Sequence, residues 1–135
     1  MALSNEAVIA HLQQMLPADR VVTDEAELRR SSVDNFRKLQ NIFGVHTMRL
    51  PLAVVHVAST DEVSAVLKFA DEHGVNVVAR TGGTATEGGL ESGAPQSIVV
   101  DGSMLNQIIS IDTYNMQATA QCGVPLQLLE DKARE

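Results

Sequence analysis

At 135 residues the chain suits a single domain with a core of its own, and 44% hydrophobic against 20% charged residues excludes a disordered polymer. A net charge of −7 with 3% aromatics and no Trp excludes a polyanion-binding surface and a base-stacking nucleic-acid platform. The lone cysteine, Cys122, excludes an intrachain disulfide and points to a reducing, cytoplasmic setting. No apolar run approaches the ~20 residues of a spanning helix, and Met1-Ala2-Leu3-Ser4-Asn5-Glu6 lacks the basic region of a signal peptide.

Ser4 predicts the N-cap of a helix through about Met15, with Val8, Leu12 and Met15 on one face and Pro17 beyond its end. Val21-Val22 reads as a short extended piece. Thr23 is placed to cap a second helix whose first turn carries Asp24 and Glu25 and which runs to Ser31-Ser32. Asp34 to Phe43 is expected to continue as an irregular helical segment ended by Gly44, and Val45 to Leu50 forms a connector.

From Pro51 the pattern sharpens. Ala53 to Val57 is a β-branched run fit for a buried strand. Ser59 and Glu62 have capping-box spacing, and Val63, Val66, Leu67 and Ala70 predict the apolar face of a helix ending at Gly74. Val75 to Ala79 is the next strand, so strand, helix and strand form a βαβ unit with parallel strands. Ile98 to Val100 supplies a third strand. Ile108 to Ile111 and Gln117 to Ala120 can close a hairpin around Thr113-Tyr114-Asn115, and Pro125 falls in the first turn of a closing helix. The fold class is α+β or α/β: a small parallel βαβ sheet flanked by helices, with a C-terminal hairpin.

Between the second and third strands lies Arg80-Thr81-Gly82-Gly83-Thr84-Ala85-Thr86-Glu87-Gly88-Gly89. Gly82 and Gly83 can adopt positive φ and let successive N–H groups converge, while Thr81 and Thr84 add hydroxyls. Such a cluster of donors suits a phosphate or pyrophosphate. Taken alone, the same residues also fit a glycine-rich surface turn with no ligand.

The flanking segments bear on that choice. Leu50-Pro51-Leu52-Ala53-Val54-Val55, Ser59-Thr60-Asp61-Glu62-Val63, the glycine loop, Ser97-Ile98-Val99-Val100-Asp101, Met104-Leu105-Asn106, Ile109-Ser110-Ile111-Asp112 and Cys122-Gly123-Val124 follow one another in an order that resembles the first half of the FAD-binding domain of the vanillyl-alcohol oxidase/p-cresol methylhydroxylase (PCMH) superfamily. Within it, the likeness is to FAD-linked oxidases of the glycolate oxidase/D-lactate dehydrogenase type. The match runs from Leu50 to the C-terminus and makes residues 51–135 the first lobe of a PCMH-type FAD-binding domain, with residues 1–50 a helical segment packing on it.

The resemblance implies that FAD is held non-covalently, with its pyrophosphate on the loop. Carried over residue by residue, the cofactor-binding set is Arg80, Thr81, Gly82, Gly83, Thr84 and Ala85, with Gly88 and Gly89 nearby and Pro51 lining the adenine end. The implied role is donation from the backbone N–H groups of residues 81 to 85, helped by the Thr84 hydroxyl. Three departures stand out: Thr81 replaces a usual glycine, Glu87 adds a negative charge near a dianion, and Val57 replaces a common proline. Some relatives attach the flavin through a histidine after the Gly-Gly pair; Thr84 stands there, with no suitable nucleophile.

Cys122 reads as a small buried apolar residue in a strand-like segment. His11, His46, His56 and His73 have no metal-ligand spacing, and His56, on a core strand, reads as a hydrogen-bonded structural histidine. No Ser-His-Asp arrangement, Walker lysine or Rossmann fingerprint is present. Two functions follow. The first is the FAD-binding portion of an oxidoreductase acting on a small 2-hydroxy acid or related alcohol, with no catalytic residue in this chain. The family's FAD module continues into a second lobe and a substrate domain, so the isolated chain is expected to be inactive. The second is a non-catalytic α/β module without flavin that works through a partner subunit. In either case, an exposed lobe face favours docking of the missing lobe or a homodimer.

Overall fold

A computed structural model describes residues 3–36, 42–44 and 49–135. Helix α1 (Asn5–Met15) starts where expected: the Ser4 hydroxyl accepts a hydrogen bond from the Ala7 N–H at 3.2 Å, and Val8 and Leu12 are fully buried one turn apart. A turn of 3-10 helix (Ala18–Arg20) leads into strand β1 (Val21–Val22). Helix α2 (Glu25–Ser31) is capped by Asp24, not Thr23: the Asp24 carboxylate accepts from the Glu27 N–H at 3.2 Å. A carboxylate at the positive end of the helix dipole is the stronger acceptor of the two.

The segment expected to be helical from Asp34 opens instead on a turn at Asp34-Asn35-Phe36. There the Asp34 side chain takes the Phe36 N–H at 2.9 Å, an alternative to the helical ladder that short acidic side chains offer. Near the other end of the segment Ile42 is helical, and Gly44 follows in the left-handed region at φ +66, as expected of the glycine that ends it. Residues 37–41 of that segment, and 45–48 of the connector, lie outside the described residues.

Strand β2 (Val54–His56) is followed by helix α3 (Thr60–His73), then strands β3 (Asn76–Arg80) and β4 (Ser97–Asp101). The Ser59 hydroxyl caps α3 by accepting from the Glu62 N–H at 3.2 Å. Glu62 reaches back to the Ala58 N–H at 2.8 Å and also receives both ends of the Arg20 guanidinium at 2.7 Å, tying the 3-10 turn to α3. Helix α3 ends on Gly74 at φ +67, in the left-handed region. Its buried face is Val66, Phe69 and Ala70, whereas Leu67, expected there, is half-exposed. Phe69 fills the space because it stacks on His11 of α1, ring centroids 5.0 Å apart.

The sheet order is β1-β2-β4-β3, with β1 antiparallel to β2 and the other neighbours parallel. β2 and β3 are thus parallel, as the βαβ pattern predicts, but they are not adjacent: β4 lies between them. Every residue of β4 is buried, whereas β3 fully buries only Val78 and exposes Asn76 and Ala79. A run that is apolar on both faces takes the centre of a parallel sheet, and a half-polar one takes the edge. Val55, Ile98 and Val100 pack with Val8, Leu12, Val66 and Phe69 on one face, while Val54, Val78 and Val99 pack with Leu28 and Leu90 on the other. Each such side chain, fully buried, contributes about 1.5–3 kcal/mol.

Strands β5 (Ile108–Asp112) and β6 (Gln117–Ala120) form a separate antiparallel hairpin with the expected turn. Helix α4 (Leu126–Arg134) closes the chain, with Pro125 at its N-cap, one residue ahead of the first turn. The Pro125 carbonyl accepts from the Leu129 N–H at 3.2 Å, so its missing N–H costs the helix nothing. Ile109, Met116 and Leu126 are largely exposed. Among the described residues no helix is long and apolar enough to cross a membrane.

Candidate functional site

Because β3 and β4 are parallel neighbours in register, Arg80 and Asp101 lie side by side at their C-terminal ends, the end at which open α/β sheets bind ligands. Both strands release a loop there. After Arg80 comes the glycine loop, and after Asp101 comes a tight turn in which the Leu105 N–H donates to the Gly102 carbonyl at 3.0 Å. The two are stitched together by the Gly102 N–H on the Arg80 carbonyl at 2.9 Å.

Asp101 is fully buried. One carboxylate oxygen pairs with Nη1 of Arg80, and the other accepts from the Ser103 N–H at 2.9 Å and stands 3.5 Å from Nδ1 of His56. Burial pushes the Asp101 carboxyl up, but hydrogen bonds from Ser103 and the Arg80 guanidinium outweigh it, and the net position is below the ordinary carboxylate value. The guanidinium lies against Gly83, which has φ +64; a Cβ built on Gly83 would come within 3.3 Å of Nη2.

A third segment completes the site. The Gly123 N–H donates to the Leu105 carbonyl at 2.8 Å, and a Cβ on Gly123 would lie 2.8 Å from the carbonyl oxygens of Leu105 and Ser103 and closer still to that of Gly102. Only glycine allows this approach. Between the three segments is a cleft of about 560 Å³, with Thr81 and Gly82 on one wall, Ser103 and Asn106 on the next, and Gly123 and Leu128 opposite. Among the described residues none accepts a backbone hydrogen bond from the N–H of Gly82, Gly83 or Thr84. Neutral hydroxyl, amide and N–H donors around a side-chain-free glycine suit a diphosphate: they stabilise the anion without a bulky cation in the way. The residues present fit that group.

The structure brings only part of the expected set to the cleft. Thr81 and Gly82 line it. Gly83 instead lines a second hollow of about 420 Å³ on the far side of the loop, beside Arg30 and Asp34. Ala85 packs into the core beneath α2, and its carbonyl accepts from the Asn35 N–H at 3.0 Å, so it anchors the loop. Gly88 (φ +82) and Gly89 lie in the returning arm, and neither they nor Thr84 line the cleft. Pro51 is buried at the opposite end of the parallel strands, where the Leu52 N–H donates to the Ser97 carbonyl at 2.7 Å. Gly82, expected to share the positive-φ conformation, leaves it to Gly83.

Ser103, Asn106 and Gly123 belong to the cleft, but in the sequence Asn106 and Gly123 stand out only as markers of the resemblance and Ser103 not at all. The signal of those two was the Met104-Leu105-Asn106 and Cys122-Gly123-Val124 segments, which give no hint of burial against one another. Cys122 itself is exposed and sits in a turn, correcting the expectation of a buried strand residue. The turn that seats Gly123 on three carbonyls leaves its neighbour's side chain at the surface. His11 and His73 flank Phe69 away from the site, and His46 lies outside the described residues. Among the described residues no group of three or more His, Cys, Asp or Glu is placed to hold a metal ion.

Comparison with known proteins gives one consistent picture. Residues 51–135 match the family described as FAD binding domain. The chain is 53% identical over all 135 residues to an uncharacterized FAD-linked oxidoreductase, YgcU, of Escherichia coli (strain K12), of which it covers 28%. It is 32% identical over 127 residues, 94% of the chain, to a D-2-hydroxyglutarate dehydrogenase of Xanthomonas citri pv. viticola, of which it covers 25%. It therefore spans about a quarter of the length of these relatives. Among solved structures, p-cresol methylhydroxylase with substrate bound superposes over 96% of this chain and 24% of its own, with a TM-score of 0.79 at 19% identity, which shows the shared fold.

Proposed function

This chain belongs to the FAD binding domain family of FAD-linked oxidoreductases, and we propose that its cleft holds the pyrophosphate of a non-covalently bound FAD. The observation that carries this reading is the convergence of three loop segments on a neutral, donor-rich cleft at the C-terminal ends of β3 and β4. The Gly82 N–H, the Thr81 and Ser103 hydroxyls and the Asn106 amide, which line the cleft, are the donors, and Gly83 sets the turn of the loop. Thr84, Ala85, Gly88 and Gly89 shape the loop. Pro51, expected at the adenine end, has no part in the cleft itself. Bound FAD supplies a two-electron acceptor; the residues of this chain bind and orient it and provide no acid or base.

The longer protein that this reading implies oxidises a small 2-hydroxy acid or related alcohol, in keeping with the names of its relatives, a D-2-hydroxyglutarate dehydrogenase and the glycolate oxidase subunit GlcD of Bacillus subtilis. The exposed Ile109, Met116, Leu126 and Leu128 support a further interface on the hairpin and α4, with another part of such a protein or with a second copy. A cytoplasmic setting belongs to the same reading and rests on the single cysteine.

The test is a titration of the chain with FAD followed by flavin fluorescence, with ADP as competitor. Saturable binding that ADP reverses and that Gly82→Ala weakens supports a diphosphate held in the cleft. Colourless protein that takes up no FAD and forms a stable dimer refutes this function and favours the non-catalytic module.

A further inference from the structure

Arg80 carries a full positive charge at the base of a site read as anion-binding, yet the structure commits it elsewhere. Its Nη1 is paired with a carboxylate that has no exposure to solvent, and its Nη2 and Nε face the position where a Gly83 Cβ would stand, at 3.3 and 3.8 Å. Nε is buried and, among the described residues, has no hydrogen-bond partner. An arginine meant to grip a phosphate would present its planar fork to the cleft; this one lies under the loop. Arg80 is not among the residues that line the cleft, whereas its sequence neighbours Thr81 and Gly82 are.

Asp101 is the other half of the arrangement. Through one oxygen it holds Arg80, and through the other it takes the Ser103 N–H, the first amide of the adjoining wall. The Arg80 carbonyl in turn receives the Gly102 N–H. Both walls therefore hang from one buried carboxylate. We propose that Arg80 is a positioning residue: Asp101 clamps its guanidinium beneath Gly83, and this single ion pair sets the conformation of the glycine loop and of the Gly102–Asn106 turn together. The inference rests on the reading of the cleft as the FAD site, but it concerns the shape of the loops and can be measured without the cofactor. A buried pair is a poor source of net stability and a good source of geometry, because replacing both partners with apolar residues of similar volume is often close to neutral for folding.

That property supplies the test. The double variant Arg80→Met/Asp101→Leu keeps the fold but removes the clamp. In the cofactor-free chain, ¹⁵N backbone order parameters at Gly82, Gly83 and Thr84 are expected to fall from roughly 0.85 towards 0.6, with faster amide exchange at Ser103 and unchanged exchange in α1 and β2. Affinity for FAD is expected to fall about tenfold at an unchanged thermal midpoint. Arg80→Lys guards against a variant that does not fold. Its point charge keeps Asp101 paired, so Ser103 stays protected, while the loss of the planar group under Gly83 loosens the glycine loop alone. Wild-type order parameters at Gly82–Thr84 in both variants would overturn the proposal. If the wild-type chain takes up no FAD, the functional reading fails while the order parameters still decide this one.

Discussion

Replacing Gly123 with alanine tests the architecture of the cleft at its tightest point. The added Cβ would stand 2.8 Å from the Leu105 and Ser103 carbonyl oxygens and nearer still to that of Gly102. All three are backbone atoms, so no rotamer change relieves the clash and the segments must separate. Overpacking of this kind costs about 1–3 kcal/mol. Separation also strains the hydrogen bond from the Gly123 N–H to the Leu105 carbonyl, now 2.8 Å long, for about 1 kcal/mol more. The expected loss is thus about 2–4 kcal/mol, a large share of the 5–15 kcal/mol typical of a domain. With no Trp and one Tyr in the chain, urea unfolding is best followed by far-UV circular dichroism, where the midpoint should drop by about 1–2 M. Gly93→Ala is the control, since a Cβ there meets nothing within 4 Å and its midpoint should not move. An unchanged midpoint for Gly123→Ala would refute the close approach and with it the third wall of the cleft.

Gly82→Ala should separate binding from stability. Its Cβ meets only the Thr84 methyl at 3.7 Å, so the unfolding midpoint holds while FAD affinity, read by fluorescence titration, falls as the methyl enters the cleft. Asp101, facing Arg80 and His56, titrates below its unfolded value of about 3.9. Its stabilisation is therefore complete above that value and is lost as pH falls through the lower folded one. Urea midpoints across pH 2–6 should fall more steeply at the acid end for the wild-type chain than for Asp101→Asn, and parallel curves would contradict the assignment. Ser59→Ala removes the cap of α3 and should cost about 1 kcal/mol in urea unfolding. Phe69→Ala, buried against His11, should cost about 3–5 kcal/mol in the same assay.

Most elements of this fold are legible in the sequence because their signals are local. Ser4, Ser59 and Gly74 mark helix ends through the hydrogen bonds that their own side chains or φ angles permit, and the hairpin lies where its turn residues place it. Signals weaken where two neighbours can do the same job, as with Thr23 and Asp24. They also weaken where a tertiary partner selects among apolar residues: His11 draws Phe69 inward and leaves Leu67 outside. Of the site, the glycine loop was legible as a run of residues, but its division of labour was not. Thr81 and Gly82 face the cleft, while Ala85 faces the core.

Local order, the glycine loop and, through the succession of its segments, the FAD-binding family are properties that the chain determines by itself, because each depends on residues within a turn or two of one another. Strand order is different. β4 displaces β3 from the place beside β2 because burial on both faces can be compared only once all strands are present. The same assembly brings Arg80 to Asp101 across 21 positions of sequence and seats Gly123 against the turn after Asp101. Neither contact has a local propensity to announce it, so the shape of the cleft was decided only by the packing of the sheet.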